Sequence, residues 1–314
     1  KYMKKKFLYI KKKMNFKYRP EIDGLRAIAV LSVILYHAGF EVNFNEKLYK
    51  VLPGGFLGVD IFYVISGYLI TYLILERIKN NSFSFFNFYE RRARRLLPTL
   101  FVVIAISIIA GWIFMMPGQM KDLSGSAISS LFFLSNFWFW MTDNYFAETS
   151  SLKPLLHTWS LSIEEQFYLI FPPFLYFIYQ KKVKNINLLF LTLIISSLIF
   201  ASLGNIYFKN LNFYLLPSRI WELSVGVVLA YYHINKKVIE HKSSNVLNIF
   251  GIILILIPFF LFNKETPHPS IFTMFTIIGT AIIIFYNKNK DFGLVKSILS
   301  SKLFVGCGLI SYSL

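Results

Sequence analysis

The sequence predicts an all-α polytopic membrane protein, with about eight complete transmembrane helices, a re-entrant or interfacial segment near 123–141 and a further span opening at Leu303. Three observations predict it. Hydrophobic residues make up 55% of the 314 and aromatic residues 18%, with a positive mean hydropathy, which is unlike a soluble globular chain. Apolar runs long enough to cross a bilayer, ~20 residues each, recur along the chain. The lysines and arginines behind a formal net charge of +17 gather in short clusters between those runs. That clustering argues against nucleic-acid binding and names membrane lipids as the surroundings. The single cysteine, Cys307, excludes a disulfide framework and a cysteine metal cluster. With no zinc-spaced ligand set, glycine-rich nucleotide loop or nucleophile elbow in the chain, no metal is expected.

Taken in order, KYMKKKFLYIKKK before MNFKYRP reads as a basic cytoplasmic leader over residues 1–18 without a signal-peptide cleavage site. Residues 19–314 read as one transmembrane domain, with apolar runs at 24–40, 56–76, 96–117, 123–141, 160–180, 186–204, 219–234, 246–262 and 270–286. Arg77, Lys79 and the arginines of 91–95 place the loop after the second run in the cytoplasm with the N-terminus, so the first two spans form a hairpin. Lys181, Lys182 and Lys184, then Lys236, Lys237 and Lys242, then Lys288, Lys290 and Lys296, mark three further cytoplasmic loops. If every run crossed, these two halves would disagree in parity. The run 123–141, serine-rich at LSGSAISS and aromatic at NFWFW, is the one that is not a simple span. The last run reaches Leu314 before it is long enough to cross, so the domain is expected to be incomplete at its C-terminus.

The stretch DGLRAIAVLSVILYH places Arg26 and His37 eleven residues apart, ~16 Å and about three turns along one helical face. Burying either in hydrocarbon is costly, so both are expected to face a polar cavity, with Arg26 at the cytoplasmic mouth and His37 further out. Snorkelling of Arg26 and a neutral interhelical hydrogen bond from His37 are the plainer alternatives. In FYERRARRLLP, Arg91, Arg92, Arg94 and Arg95 form a donor cluster before a proline that can open the next span. Guanidinium forks suit phosphate oxygens, and the local switch from lysine to arginine favours phosphate recognition over simple anchoring.

Asp60 enters the second span and can either orient a histidine or pair with an arginine. Glu164 and Glu165 lie one turn inside the helix begun by HTWSLSIEEQ, where Ser160 or Ser162 can form a capping box with one of them. Arg219 and Glu222 are spaced to pair with each other. His157 stands beside the glutamates, while His233, His241 and His268 fall at span ends or in loops and carry little. A polytopic transporter using Arg26, His37 and Asp60 as a proton or substrate path is the competing class, although inverted repeats are not evident.

The segments YRPEIDGLRAIAVLSVILYHAGF, GGFLGVDIFYVISGYLIT, FYERRARRLLP, LKPLLHTWSLSIEEQFYLIFP and LLPSRIWELSVGVVLA, in that order, resemble the acyltransferase 3 family of membrane O-acyltransferases. The likeness is strongest to the branch that O-acetylates bacterial surface polysaccharides such as lipopolysaccharide O-antigen and peptidoglycan. The resemblance implies acetyl-CoA as donor, a glycan or glycolipid acceptor and a multi-pass place in the bacterial cytoplasmic membrane. It implies essential roles for Arg26 and His37 and a donor-binding role for Arg91, Arg92, Arg94 and Arg95, with Asp60, Glu164 and Glu165 as further candidates.

Overall fold

The computed structural model describes residues 18–44, 47–142, 152–181, 183, 185–235, 245–287 and 293–311. All of the expected leader but Tyr18 lies outside the described residues, as do Lys182, Lys184, Lys236, Lys237, Lys242, Lys288, Lys290 and His241.

Helix α1, Pro20–Ala38, opens on a proline at the first position, where a missing N–H removes no bond, and stops at Gly39 with φ 66. A short antiparallel ladder of β1, Glu41–Phe44, and β2, Lys47–Lys50, follows, a feature not expected in an all-α chain. A 3₁₀ turn, Gly55–Leu57, leads into α2, Gly58–Lys79. Helix α3, Phe85–Phe114, is capped by Ser84 and runs straight through Pro98. Then come α4, Pro117–Leu131; α5, Ser135–Thr142; α6, Thr158–Gln180; α7, Ile186–Tyr207; and α8, Lys209–Tyr214. A 3₁₀ turn at Leu216–Ser218 precedes α9, Ile220–Asn235, and the rest comprises α10, Asn245–Leu261; α11, Met274–Tyr286; α12, Leu294–Leu299; and α13, Lys302–Ile310.

Among the described residues three helical stretches are long and apolar enough to cross a membrane: Gly55–Lys79, Phe85–Phe114 and Ile186–Tyr207. Two shorter apolar ones, Asn245–Leu261 and Ile271–Tyr286, accompany them. Helix α3 turns Val102, Ile106, Ile109 and Ile113 outward, and α7 does the same with Leu191, Ile195 and Ile199. Such continuous apolar exposure is unfavourable in water and neutral against lipid tails.

Helix α2 is the central post, packed against α1, α6, α9 and α11. Its crossing with α9 is close because glycines face each other's backbones: a Cβ at Gly67 would run into the Leu223 carbonyl, and one at Gly226 into the Val64 carbonyl. Small residues at such crossings let dispersion forces act over the whole contact when no hydrophobic effect drives helices together.

The run 123–141 is not one helix. Helix α4 ends at Leu131, Phe133 takes a positive φ of 56, and α5 begins at Ser135. Polar residues on both sides of the break and on α6 hold it together. Gln166 Nε2 donates to the Phe133 carbonyl at 2.9 Å and to Asn136 Oδ1 at 2.8 Å. A hydroxyl chain of Ser130, Thr158, Ser135 and Ser162, with links of 2.9, 2.9 and 2.7 Å, joins α4, α5 and α6. The expected capping box at α6 is absent: Ser162 belongs to this chain, Ser160 bonds back to the His157 carbonyl, and His157 itself occupies the N-cap position. Buried hydroxyls satisfy one another here and leave no side chain to spare for a cap.

Gly67→Ala should destabilise the protein by about 1–3 kcal/mol through overpacking against α9. Thermal unfolding in detergent checks this, with Gly118→Ala, whose added Cβ meets nothing within 4 Å, expected to match the parent.

Candidate active site

A cavity of about 380 Å³ lies between α1, α2, α3 and the start of α6, within the size range of small-molecule sites. Its polar lining comes from Arg26 on α1, Tyr63 and Ser66 on α2, Arg92, Arg95 and Thr99 on α3, and His157, Ser160, Glu164 and Tyr168 at and within α6. Thr158 and Ser311 add to it, and valine, leucine and isoleucine side chains with Phe62 form the rest of its wall.

The helical path of α3 decides which arginines reach it. Because RRARR is already helical and Pro98 does not start a new element, Arg92 and Arg95 share the stripe that continues to Leu96, Thr99 and Val103 on the cavity wall. Arg91 and Arg94 point the other way: Arg91 Nε donates to the Asn87 carbonyl at 2.9 Å, and the exposed Arg94 pairs with Glu90 at 2.9 Å. The cluster is thus split between cavity and surface.

Arg92 is held firmly. Its Nε donates to both oxygens of Glu165, at 2.7 and 2.9 Å, and Nη2 lies 2.5 Å from Oε1. Its guanidinium carbon stands 3.4 Å from the Tyr168 ring centroid, a cation–π stack. The Tyr168 hydroxyl donates to Glu164 Oε1 at 2.5 Å, and the Ser66 hydroxyl donates to the same oxygen. The two adjacent glutamates therefore differ: Glu165 orients an arginine, whereas Glu164 collects hydroxyl donors on the cavity wall.

Arg26, expected at a mouth, is 8% exposed and lines the cavity, with Asp23 Oδ1 3.4 Å from Nη1 and the Tyr18 hydroxyl donating to Asp23 at 2.7 Å. Its stripe runs on through Val30 and Val33, both on the wall, and one turn later reaches His37. His37 is itself exposed at the end of α1, beyond the lining, with Tyr36 edge-on at 5.1 Å between ring centroids and His157 and Lys264 within electrostatic reach. The start of α1 is tied to α2 and α11, where Arg19 Nη1 donates to Tyr68 at 2.7 Å and Nη2 to the Ile284 carbonyl at 2.7 Å.

Asp60 lies outside the cavity lining, in a buried knot. Arg219 Nη1 donates to Asp60 at 3.0 Å and to Glu222 at 3.1 Å, all three side chains being fully buried. His268 completes it, with Nε2 3.1 Å from both Asp60 oxygens and Nδ1 3.2 Å from Arg219 Nη2. The tautomer that satisfies these bonds carries its proton on Nε2, donating to Asp60, and accepts from Arg219 at Nδ1. Phe213, Trp159 and Tyr63 surround the guanidinium at 5.5, 5.6 and 6.0 Å. Of Asp60's two expected partners the structure therefore shows both, an arginine and a histidine, and the i, i+3 pairing of Arg219 with Glu222 is present.

Sequence reasoning missed His268, Tyr63, Ser66 and Tyr168. Tyr168 was readable, one turn after Glu164; His268 was not, because 208 positions separate it from Asp60. Among the described residues no group of His, Cys, Asp or Glu is arranged to hold a metal ion.

The model of the acyltransferase domain family (Acyl_transf_3) matches residues 19–314. The chain belongs to that family. It is 42% identical over 250 residues to the peptidoglycan O-acetyltransferase OatA of Listeria monocytogenes, covering 76% of this chain and 38% of that protein. It is 38% identical over 232 residues to the putative peptidoglycan O-acetyltransferase YrhL of Bacillus subtilis, covering 70% and 34%. With the O-acetyltransferase OatA of Staphylococcus aureus it shares 33% identity over 273 residues, covering 83% and 43%. The aligned part of this chain spans about two fifths of these relatives' length or less. No solved structure matches.

Two outcomes are expected of the buried knot. Asp60→Ala leaves the buried Arg219 with Glu222 as its one carboxylate in the knot and removes the acceptor of His268; it should cost about 3–5 kcal/mol, read as a lower unfolding temperature or loss of folded protein in detergent. The loop residue His268 is held well below the usual imidazole pKa, by burial first and the Arg219 charge second. The unfolded chain then takes up a proton that the folded one refuses, so stability falls as pH drops below about 6.5, and His268→Gln should flatten that dependence in a pH series of unfolding temperatures.

Proposed function

We propose that the protein is a membrane O-acyltransferase that moves an acetyl group from acetyl-CoA on the cytoplasmic side to a hydroxyl of a cell-wall or cell-surface glycan. The observation that carries this reading is the cavity: three guanidiniums, Arg26, Arg92 and Arg95, line a space whose wall also carries an imidazole, a carboxylate and several hydroxyls, in a domain of an acyltransferase family. The likeness to proteins named peptidoglycan O-acetyltransferases supports peptidoglycan as the acceptor.

The residues present suit such a donor. Acetyl-CoA carries phosphates at one end and a reactive thioester at the end of a long arm, and it supplies the activated acyl group. Arg91 and Arg94, on the surface side of α3, meet the phosphates; Arg92 and Arg95 line the path inward, with Arg92 aimed by Glu165 and Tyr168. Arg26 neutralises negative charge that develops deeper in the cavity. His37, beyond the end of that arginine's stripe, provides the imidazole at which the acyl group meets the incoming hydroxyl, as base or as acyl carrier. Glu164, on the cavity wall, accepts hydrogen bonds from hydroxyls.

This reading places the chain in the bacterial cytoplasmic membrane with about eight crossings and the N-terminus in the cytoplasm. The broken α4–α5 segment is then the run that does not cross as a single helix.

Purified protein in liposomes should release free thiol from acetyl-CoA in the presence of muropeptide oligosaccharides; a transporter would not. His37→Ala should abolish acetyl transfer. The double change Arg92→Ala with Arg95→Ala should raise KM for acetyl-CoA at least about 10-fold, as loss of charge-assisted hydrogen bonds requires. Unchanged kinetics in both variants would sink the assignment of the cavity.

A further inference from the structure

His37 stands in the last turn of α1, exposed, just before the helix stops at Gly39. A side chain at such a terminus, where the final carbonyls lack intrahelical partners, changes rotamer readily unless a neighbour prevents it. Here the neighbours are rings. Tyr36 lies edge-on to His37 at 5.1 Å between centroids, with 78° between the ring planes. The Tyr36 ring is itself flanked by Phe56, edge-on at 5.5 Å, and by the Lys50 ammonium, 6.0 Å from its centroid. Beyond it Phe56 meets His268 edge-on at 4.9 Å.

Phe56 is the member of this series that the backbone holds in place. It sits at the middle of the 3₁₀ turn Gly55–Leu57, which is wedged between the end of α10 and the last turns of α1. On the α10 side Gly54 N–H donates to the Phe259 carbonyl at 2.9 Å, and a Cβ at Gly54 would strike the Pro258 carbonyl. On the α1 side a Cβ at Gly55 would strike the Ser32 carbonyl and crowd the Tyr36 Cβ. The β1–β2 ladder supplies the return: Val51 N–H donates to the Phe40 carbonyl at 2.9 Å, so the chain that leaves α1 comes back beside it. On its far flank Phe56 rests against His268, which Asp60 and Arg219 hold in the buried knot.

An aliphatic side chain would fill this space as well as a phenyl ring does. What the ring adds is direction, because an aromatic edge set against an aromatic face favours one mutual orientation. Resting on the acyltransferase reading, in which His37 provides the imidazole, we propose that Phe56 is a positioning residue for the reaction. Its ring, backed by His268, seats Tyr36, and the Tyr36 ring holds the His37 imidazole in one rotamer at the end of the Arg26 stripe. Neither Phe56 nor Tyr36 exchanges a proton or forms a bond; both act through His37.

The test is steady-state kinetics of the full chain in liposomes, with acetyl-CoA and a muropeptide oligosaccharide and with rates normalised to folded protein. In Phe56→Leu kcat should fall about 10-fold or more while KM for acetyl-CoA stays at the parent value, since a misplaced reacting group costs rate and not donor binding. Phe56→Tyr and Tyr36→Phe, which keep both rings, should retain the parent kcat. Tyr36→Leu should lose at least as much as Phe56→Leu, and the double variant no more than Tyr36→Leu alone, because one ring works through the other. Parent kcat in Phe56→Leu overturns the proposal. So do losses that multiply in the double variant, and so does a loss in Tyr36→Phe, which would give the hydroxyl a part in the chemistry. The seating has a second readout in protein carrying isotope-labelled histidine: the His37 ring signal, assigned by its absence in His37→Ala, should be alike in the parent and Phe56→Tyr and move towards that of free histidine in Phe56→Leu. An unmoved signal overturns the proposal even where no turnover is seen. A parent that releases no thiol from acetyl-CoA while that signal moves fails the acyltransferase reading alone.

Discussion

A guanidinium with no access to water holds this fold together. Arg219 is fully buried among Asp60, Glu222 and His268, with Tyr63, Trp159 and Phe213 around it. A charge in such a place is tolerable only when every partner arrives together, and the partners come from α2, the start of α9 and the loop after α10. The knot therefore fixes three distant segments at once. It also reaches the candidate site, since Tyr63 and the first turn of α6, which carries Trp159, belong to the cavity's surroundings. From His268 a line of ring contacts runs through Phe56 and Tyr36 to His37, at 4.9, 5.5 and 5.1 Å between centroids.

The cavity follows from helix packing that cannot close fully. Glycines draw α2 and α9 together on one side, and α3 turns a run of aliphatic side chains outward on the other. Between them the long polar side chains of Arg92, Arg95, Glu164 and Tyr168 take up space that smaller apolar residues would have closed. The Glu165–Arg92–Tyr168 stack is what keeps that wall ordered. An isolated arginine would sample many rotamers; one gripped at Nε and stacked on a ring presents its remaining donors in a constant direction.

Belonging to an acyltransferase family says what class of chemistry to look for, and the cavity says which side chains are close enough to take part. Arg26, Arg92, Arg95 and Glu164 line one space; His37 stands at the end of a stripe leading out of it; Asp60 does not line it. Residue type alone would rank Asp60 and Glu164 equally as intramembrane carboxylates. Their neighbours separate them, a fully buried cation for one and a pair of hydroxyls for the other.

What the sequence determined by itself is periodic or compositional. Apolar run length shows helices suited to a membrane, the serine and aromatic content of 123–141 shows a run that does not form one helix, and the spacing of Arg26 and His37 puts them on one stripe. These are properties of short windows, where local chemistry and helical geometry suffice. Tertiary structure decided the rest: which arginines of RRARR meet the cavity, that Pro98 leaves α3 continuous, that Ser162 bonds to Ser135 and does not cap α6, and that His268 closes a knot with Asp60. Each of these depends on which partner reaches a polar group first in a space without water. Only the packed chain settles that competition, because an unsatisfied buried donor costs more than any local preference can return.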